Sequence, residues 1–414
     1  MPHFNVKTPR FYPSKNLEII TTKELYAELR TEAGGIYTQH SESFATEFAN
    51  FNPWKGKKVD RNGWDVSGST PSIEFIYNTG SQGSATGYST QENVAMNYFA
   101  ILGHNGAASK FMFKLYGVDR YDPENPHDLL TEGSETLTHI PVEPILGCSL
   151  VADSTGEEGW CIPTSISSEL TYADDGGDSI YEVTGGSLSH GSLIVDIPDS
   201  GTDVVGAGKY FMIRFKPIDS DKEKFSSSLL IGSFSWGMKY DMLHSPDLTY
   251  SMGVSHDGVK TIKSAGGSSL TNVSYARKPM FLGYLDGFGK EWDSGFSGTG
   301  RLNWKMNFSQ LRSDYPTNYH DNTLFPRGAA SNTEFRYGNN FYFRVLAMTL
   351  GGQLPFIFEY DNSVNTTGSP IGQWADGEHN ENHFAIAKFK KNSIQFKHKS
   401  HKFFDVSLDI EETW

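Results

Sequence analysis

Cysteine is nearly missing from this chain: Cys148 and Cys161 are the only two in 414 residues. A disulfide scaffold needs more. The two are read as reduced thiols of a protein made in a cytoplasm, with a bond between them as the alternative. Long apolar runs are lacking too. No stretch of eighteen apolar residues occurs, so no membrane span is expected. The start, Met1-Pro2-His3-Phe4, lacks the basic-then-apolar pattern of a signal peptide, and cytoplasmic synthesis is the expectation. Charge is sparse at 20% of residues, and its balance is −14. That argues against nucleic acid, whose phosphates need a basic surface. The local signatures of common catalysis are absent as well: no phosphate loop, no HExxH, no CxxC pair and no GxSxG elbow. No repeat of fixed period is visible.

What the chain has instead is glycine, 42 residues of it, with aromatics at 14%. With few long helical runs, this is the composition of sandwiches and barrels with many turns. The last residues carry the clearest pattern. Phe404, Val406, Leu408 and Ile410 alternate with Asp405, Ser407, Asp409 and Glu411, which puts the apolar set on one strand face. That strand is expected to be sheet-bound up to Thr413-Trp414. Further strands are expected at 72–77, 94–102, 111–117, 210–215 and 229–236, then at 302–308, 341–347, 384–389 and 394–396. The stretch 94–102 is apolar at nearly every position, which implies burial on both faces. The one clear helix signal is 22–30, with Thr21 or Thr22 as cap and Leu25 and Leu29 on one side. A glycine- and acid-rich region, 120–205, reads as loops.

The expected fold is all-β. A segment with one short N-terminal helix fills 1–44, and a jelly-roll sandwich spans 45–240. A polar stretch covers 241–290, and a second β domain runs over 291–414. In 241–290, strands at 249–254 and 259–262 flank His256-Asp257-Gly258, a hairpin signal. This stretch is read either as an arm packing on a neighbouring subunit or as a surface excursion.

Chemistry-bearing residues form no strong constellation. Glu74 and Glu359 lie in or after apolar strands and are expected on solvent faces, outside any acid pair for glycoside hydrolysis. Asp174, Asp175 and Asp178 have oxygens at calcium-like spacing but lack the full loop pattern. His190, His244 and His256 are scattered, and His379, His383, His398 and His401 sit among lysines, so no metal site is expected. His104-Asn105 is the best-placed polar pair, at the end of a buried strand, although His104 equally suits a backbone bond in a Gly-bracketed turn. Trp64, Trp160 and Trp374 are candidates for contact with a partner or glycan.

Two stretches resemble a known family. Asn97-Tyr98-Phe99-Ala100-Ile101-Leu102-Gly103-His104-Asn105 is similar to a strand and turn of discoidin-like, galactose-binding-like jelly rolls in bacteriophage virion proteins. Tyr210–Phe215 and Leu230-Ile231-Gly232-Ser233 fit the closing strands of that module. The run 341–358, with Leu350-Gly351-Gly352-Gln353-Leu354-Pro355-Phe356-Ile357-Phe358, and the close Glu411-Glu412-Thr413-Trp414 look like minor and distal tail proteins. The resemblance implies a structural, non-enzymatic protein of the distal tail or baseplate. It would need no cofactor. It would form a homo-oligomeric ring joining tail tube to hub or fibres in the virion. The alternative is an adhesin whose loops bind host glycan through Trp64, His104, Asn105, Trp160 or Trp374. A polysaccharide-degrading enzyme is a third reading, one that requires an acid pair in an open cleft.

Overall fold

Apolar alternation becomes strand through most of the described residues, and the computed structural model of the protein is all-β. The residues described are 7–14, 27–31, 62–64, 73–78, 96–104, 106–119, 136–153, 156–163, 169–175, 178–184, 191–198, 210–218, 229–231, 233–256, 259–273, 300–312, 340–363, 379, 383–391, 394–401 and 403–413.

The first strands are β1 (Arg10–Pro13), β2 (Ala27–Thr31), β3 (Asn62–Trp64), β4 (Ile73–Asn78) and β5 (Tyr98–His104). A single helical turn, α1 (Gly106–Ser109), precedes β6 (Phe111–Asp119), β7 (Thr136–His139), β8 (Glu143–Leu146), β9 (Cys148–Val151) and β10 (Trp160–Pro163). Then come β11 (Glu169–Asp175), β12 (Asp178–Thr184), β13 (Gly191–Asp196), β14 (Tyr210–Pro217), β15 (Leu229–Ile231), β16 (Ser233–Gly237) and β17 (Tyr240–Asp241). β18 (Ser251–His256), β19 (Val259–Lys263), β20 (Ser269–Val273) and β21 (Gly300–Arg312) lead to a π-helix, Tyr342–Ala347. β22 (Phe356–Glu359), β23 (Phe384–Phe389), β24 (Phe396–Ser400) and β25 (Phe403–Glu412) close the chain.

Three antiparallel sheets stack in layers. The middle one has four strands in the order β16-β5-β13-β8. One outer sheet is β2-β4-β14-β6-β10-β9, with β7 on β6, and the other is β17-β1-β22-β23-β25-β21-β18, with β24 on β25. Period-2 alternation on β5 explains the layering. Phe99 and Ile101 point one way and join Phe113, Leu115, Phe211, Ile213 and Phe234 in the first core. Tyr98, Ala100 and Leu102 point the other way and meet Tyr12, Ile357, Phe384 and Ile386 of the second outer sheet. Both faces of β5 are therefore covered, which is why all seven of its residues are buried.

The far face of the second outer sheet carries its own core. Phe11, Trp304, Met306, Phe358, Val406, Leu408 and Ile410 pack under Phe341, Val345 and Leu346 of the π-helix segment. The expected facing of the closing strand holds: Val406, Leu408 and Ile410 are buried in this core and Phe404 packs against it half-buried. Each such large apolar side chain contributes roughly 1.5–3 kcal/mol of transfer free energy.

Several expectations are corrected. The described part of the expected helix at 22–30 is β2, which pairs Leu29 with Phe75 and Ala27 with Tyr77. Nine residues are too few for a helix to hold in isolation, and a strand edge offered by β4 wins. The alternation at 341–347 is a π-helix, not a strand. Asn340 Oδ1 accepts the Phe343 N–H at 2.7 Å and starts the turn, and Phe341 and Val345 then share its buried side. The acid-rich run at 169–184 is a hairpin, not a loop, with Asp175 opposite Asp178. The strand near 249–254 does not fold back on the one at 259–262. β18 instead pairs with β21, Val254 opposite Leu302, while β19 pairs with β20, Ile262 opposite Leu270. Strands from outside 291–414, namely β1, β17 and β18, complete the C-terminal sheet.

Candidate functional site

His104 ends β5 and is fully buried. Its Nδ1 accepts the Gly106 N–H at 3.1 Å, and its ring meets Phe111 edge-on at 5.7 Å. Gly103 has a φ of 70°, the left-handed value a tight turn needs. The backbone-bonding reading of His104 therefore holds, and its burial removes it from direct ligand contact. Asn105 and Trp374 lie outside the described residues. Trp64 sits on β3 opposite Leu229 of β15.

Trp160 is corrected from a loop platform to a core residue. It opens β10 with no exposure, packed with Met112, Ile162 and Ile218. Lys114 and Lys216 cover its ring at 5.6 and 4.8 Å from the centroid, so no sugar ring reaches it. Lys114 is 3% exposed and donates to Glu157 Oε1 at 2.6 Å and to the Glu158 carbonyl at 2.7 Å. That bond holds the Glu157 carboxyl below the usual carboxylate range. Next to it, burial pushes the Tyr116 phenol up to about 12. Burial first, and Lys114 second, hold the His139 imidazole below its ordinary value. The cluster ties Glu157 and Glu158 to Lys114 on the face of β6 that turns away from the first core.

Glu359 is the largest departure from expectation. Expected on a solvent face, it is fully buried, on the side of β22 that faces the middle sheet. The Tyr12 hydroxyl donates to its Oε2 at 2.9 Å, Arg10 Nη1 lies 3.8 Å from the same oxygen, and His379 Nδ1 bonds Oε1. Arg10 also pairs with Asp241. Desolvation, reinforced by Glu359, keeps the Tyr12 phenol protonated. Tyr98 reaches across from β5, its hydroxyl 2.8 Å from the Pro13 carbonyl and 3.1 Å from that of Tyr12. This network satisfies its members internally and ties two sheets together. The sequence did carry a signal for it: Phe356-Ile357-Phe358 is apolar at every position, so β22 is covered on both faces and the next residue inherits that burial.

A cleft of about 490 Å³ lies along β24 and β25, lined by Lys391, Lys397, Lys399, Asp405, Asp409 and Gln395 among others. Its lysines are partly spent: Lys391 pairs with Asp409 at 3.0 Å and Lys399 with Asp405 at 3.2 Å. The Gln310 N–H, at a bulge in β21 where Gln310 has a φ of 59°, holds the Asp405 carboxyl low.

The exposed apolar side chains gather elsewhere. Of eight large exposed hydrophobics among the described residues, Leu248, Met252, Val254, Ile262 and Leu270 fall within 23 residues of sequence. Those positions are the edge strand β18, the turn before it and the β19–β20 hairpin. The described residues of that hairpin whose burial is known are all exposed or half-exposed, and its strands contact chiefly each other. Thr261 and Thr271 face across it, hydroxyls 3.2 Å apart.

Among the described residues no group of three or more His, Cys, Asp or Glu is placed to hold a metal. No helix of the described residues is long and apolar enough to cross a membrane. Cys148 and Cys161 are free thiols on neighbouring strands. No family model, curated protein or solved structure matches the chain.

Proposed function

We propose that this chain is a structural subunit of a bacteriophage virion, at the distal tail or baseplate. There it forms a homo-oligomeric ring joining the tail tube to hub or fibres. In this reading the middle and first outer sheets are the galactose-binding-like jelly roll, and the second outer sheet is the tail-type β domain. The protein is made in the host cytoplasm and works as scaffold, not catalyst. The observation that carries the reading is the β19–β20 hairpin. A two-stranded hairpin without a packed face is marginal in water, and this one leaves Ile262 and Leu270 exposed. It is built as an arm for a neighbour. The polar networks fit the same role, since Lys114 and Glu359 are closed off by their partners and the Glu359 network joins the middle and second outer sheets.

The test is the mass of the purified protein in solution by light scattering, followed by electron microscopy of the same fraction. A closed ring of three, six or more copies is the expected result and fixes the symmetry. A strict monomer sinks the ring and moves the assignment to the glycan-binding adhesin. Glycan-array binding then checks that assignment, with the lysine-lined cleft as the surface to mutate.

A further inference from the structure

We infer that the β19–β20 arm of one protomer pairs with the open edge of β18 in a second copy of the same chain. The inference rests on the assembly reading above and names the surface on which the arm lands. Three observations carry it.

The first is the edge itself. β18 ends its sheet, paired on one side with β21 through six consecutive residues without a bulge. Among the described residues no strand pairs with its other side. Proteins blunt free edges with lysine, proline or bulges. Ser251-Met252-Gly253-Val254-Ser255-His256 has none of these, and Met252 and Val254 are 54% and 57% exposed. An edge left this sticky has an occupant in its working state.

The second is the match. Met252 and Val254 share one face of β18 by period 2. The arm presents Ile262 directly opposite Leu270, at 64% and 61% exposure. Strand addition then satisfies both parties at once: main-chain bonds fill the edge, and the two apolar pairs cover each other.

The third is why the occupant is a second copy. Only Asp257 and Gly258 separate β18 from β19 in sequence. An Asp-Gly step between two strands normally turns the second back on the first, yet β19 is taken by β20 and its own β18 stays open. A short connection before an exchangeable element favours swapping between protomers.

The test uses the full chain in a Cys148→Ser background. Copies with Val254→Cys and copies with Ile262→Cys are dissociated, mixed, reassembled and mildly oxidised. In parallel, the mass of an Ile262→Asp/Leu270→Asp variant is measured. Expected are a disulfide-linked pair of 46.0 kDa chains, at least tenfold more abundant in the mixture than in either variant alone, and loss of oligomer mass in the aspartate variant. Both aspartate positions are exposed, so an unchanged thermal transition of the protomer confirms that its fold is intact. A wild-type oligomer with no cross-link, and an aspartate variant of unchanged mass, overturn arm exchange and leave the assembly reading standing. A wild type that stays monomeric at every concentration overturns both.

Discussion

The Tyr12 hydroxyl donates a 2.9 Å hydrogen bond to Glu359 Oε2 across 347 positions of sequence, and both groups are fully buried. The bond joins adjacent strands β1 and β22, so the N-terminal strand is secured to the C-terminal sheet by a charge-assisted contact. Removing the hydroxyl with Tyr12→Phe keeps the ring packing against Tyr98 and Phe384 but leaves a buried carboxylate one donor short. The expected cost is about 1–3 kcal/mol. Urea unfolding of the two proteins reads it as a lower midpoint at unchanged slope. An unchanged midpoint would show that Arg10 and His379 suffice.

Lys114 and Glu157 give a pH dependence with a definite sign. Glu157 is held below its unfolded value by the Lys114 bond. A depressed carboxylate contributes stability that is complete above the unfolded value of about 4.3 and is lost as pH falls through the folded one. Lys114→Met removes the cause. The variant should be less stable than wild type at pH 5, and the gap should close as both are taken towards pH 2.5. Glu157 is half-exposed, so the effect is modest and salt-sensitive. A gap of constant size down the acid limb would assign the loss to packing around Trp160 instead.

Two glycines separate backbone strain from collision. Gly147 and Gly156 have φ values of 66° and 81°. A Cβ at Gly147 would stand 2.5 Å from the Ser192 carbonyl oxygen, which is backbone and cannot swing away, whereas a Cβ at Gly156 meets nothing within 4 Å. Gly156→Ala is expected to cost about 1–2 kcal/mol from left-handed strain alone. Gly147→Ala adds a shift of β13 and should cost about 2–5 kcal/mol in all. Thermal unfolding of both variants ranks them, and equal losses would refute the clash.

Much of the sheet was legible in the sequence because apolar alternation is a local property. Val406, Leu408 and Ile410 announce their buried face, and the unbroken apolar run of β5 announces a strand covered twice. What was not legible depends on partners far along the chain. Nothing near Leu29 says that Phe75 will offer it a strand edge. Phe341 and Val345 suit a strand as well as a helix until Asn340 caps the turn. The site residues failed for the same reason. Trp160 is flanked by glycine and looks like a loop, but Lys114 and Lys216, both distant in sequence, close over it. Glu359 looks solvent-facing until Tyr12, from the far end of the chain, and His379, twenty residues on, close over it.

The layers and the arm should also differ in how they open. Amide exchange measures local opening free energies, which run from near zero in unsupported segments up to the global value in core strands. β5 is buried on both faces and hydrogen-bonded on both edges, to β13 and β16. Its amides should exchange only through global unfolding. Among the described elements β19 and β20 pair only with each other, so in a diluted, dissociated protomer their amides should exchange within seconds. Raising the concentration until copies associate should slow the arm and the outward edge of β18 together, since one strand addition covers both. Protection of the arm without protection of β18 would mean that it docks on another surface. Protection of the arm in the dilute protomer would mean that it is held within its own chain.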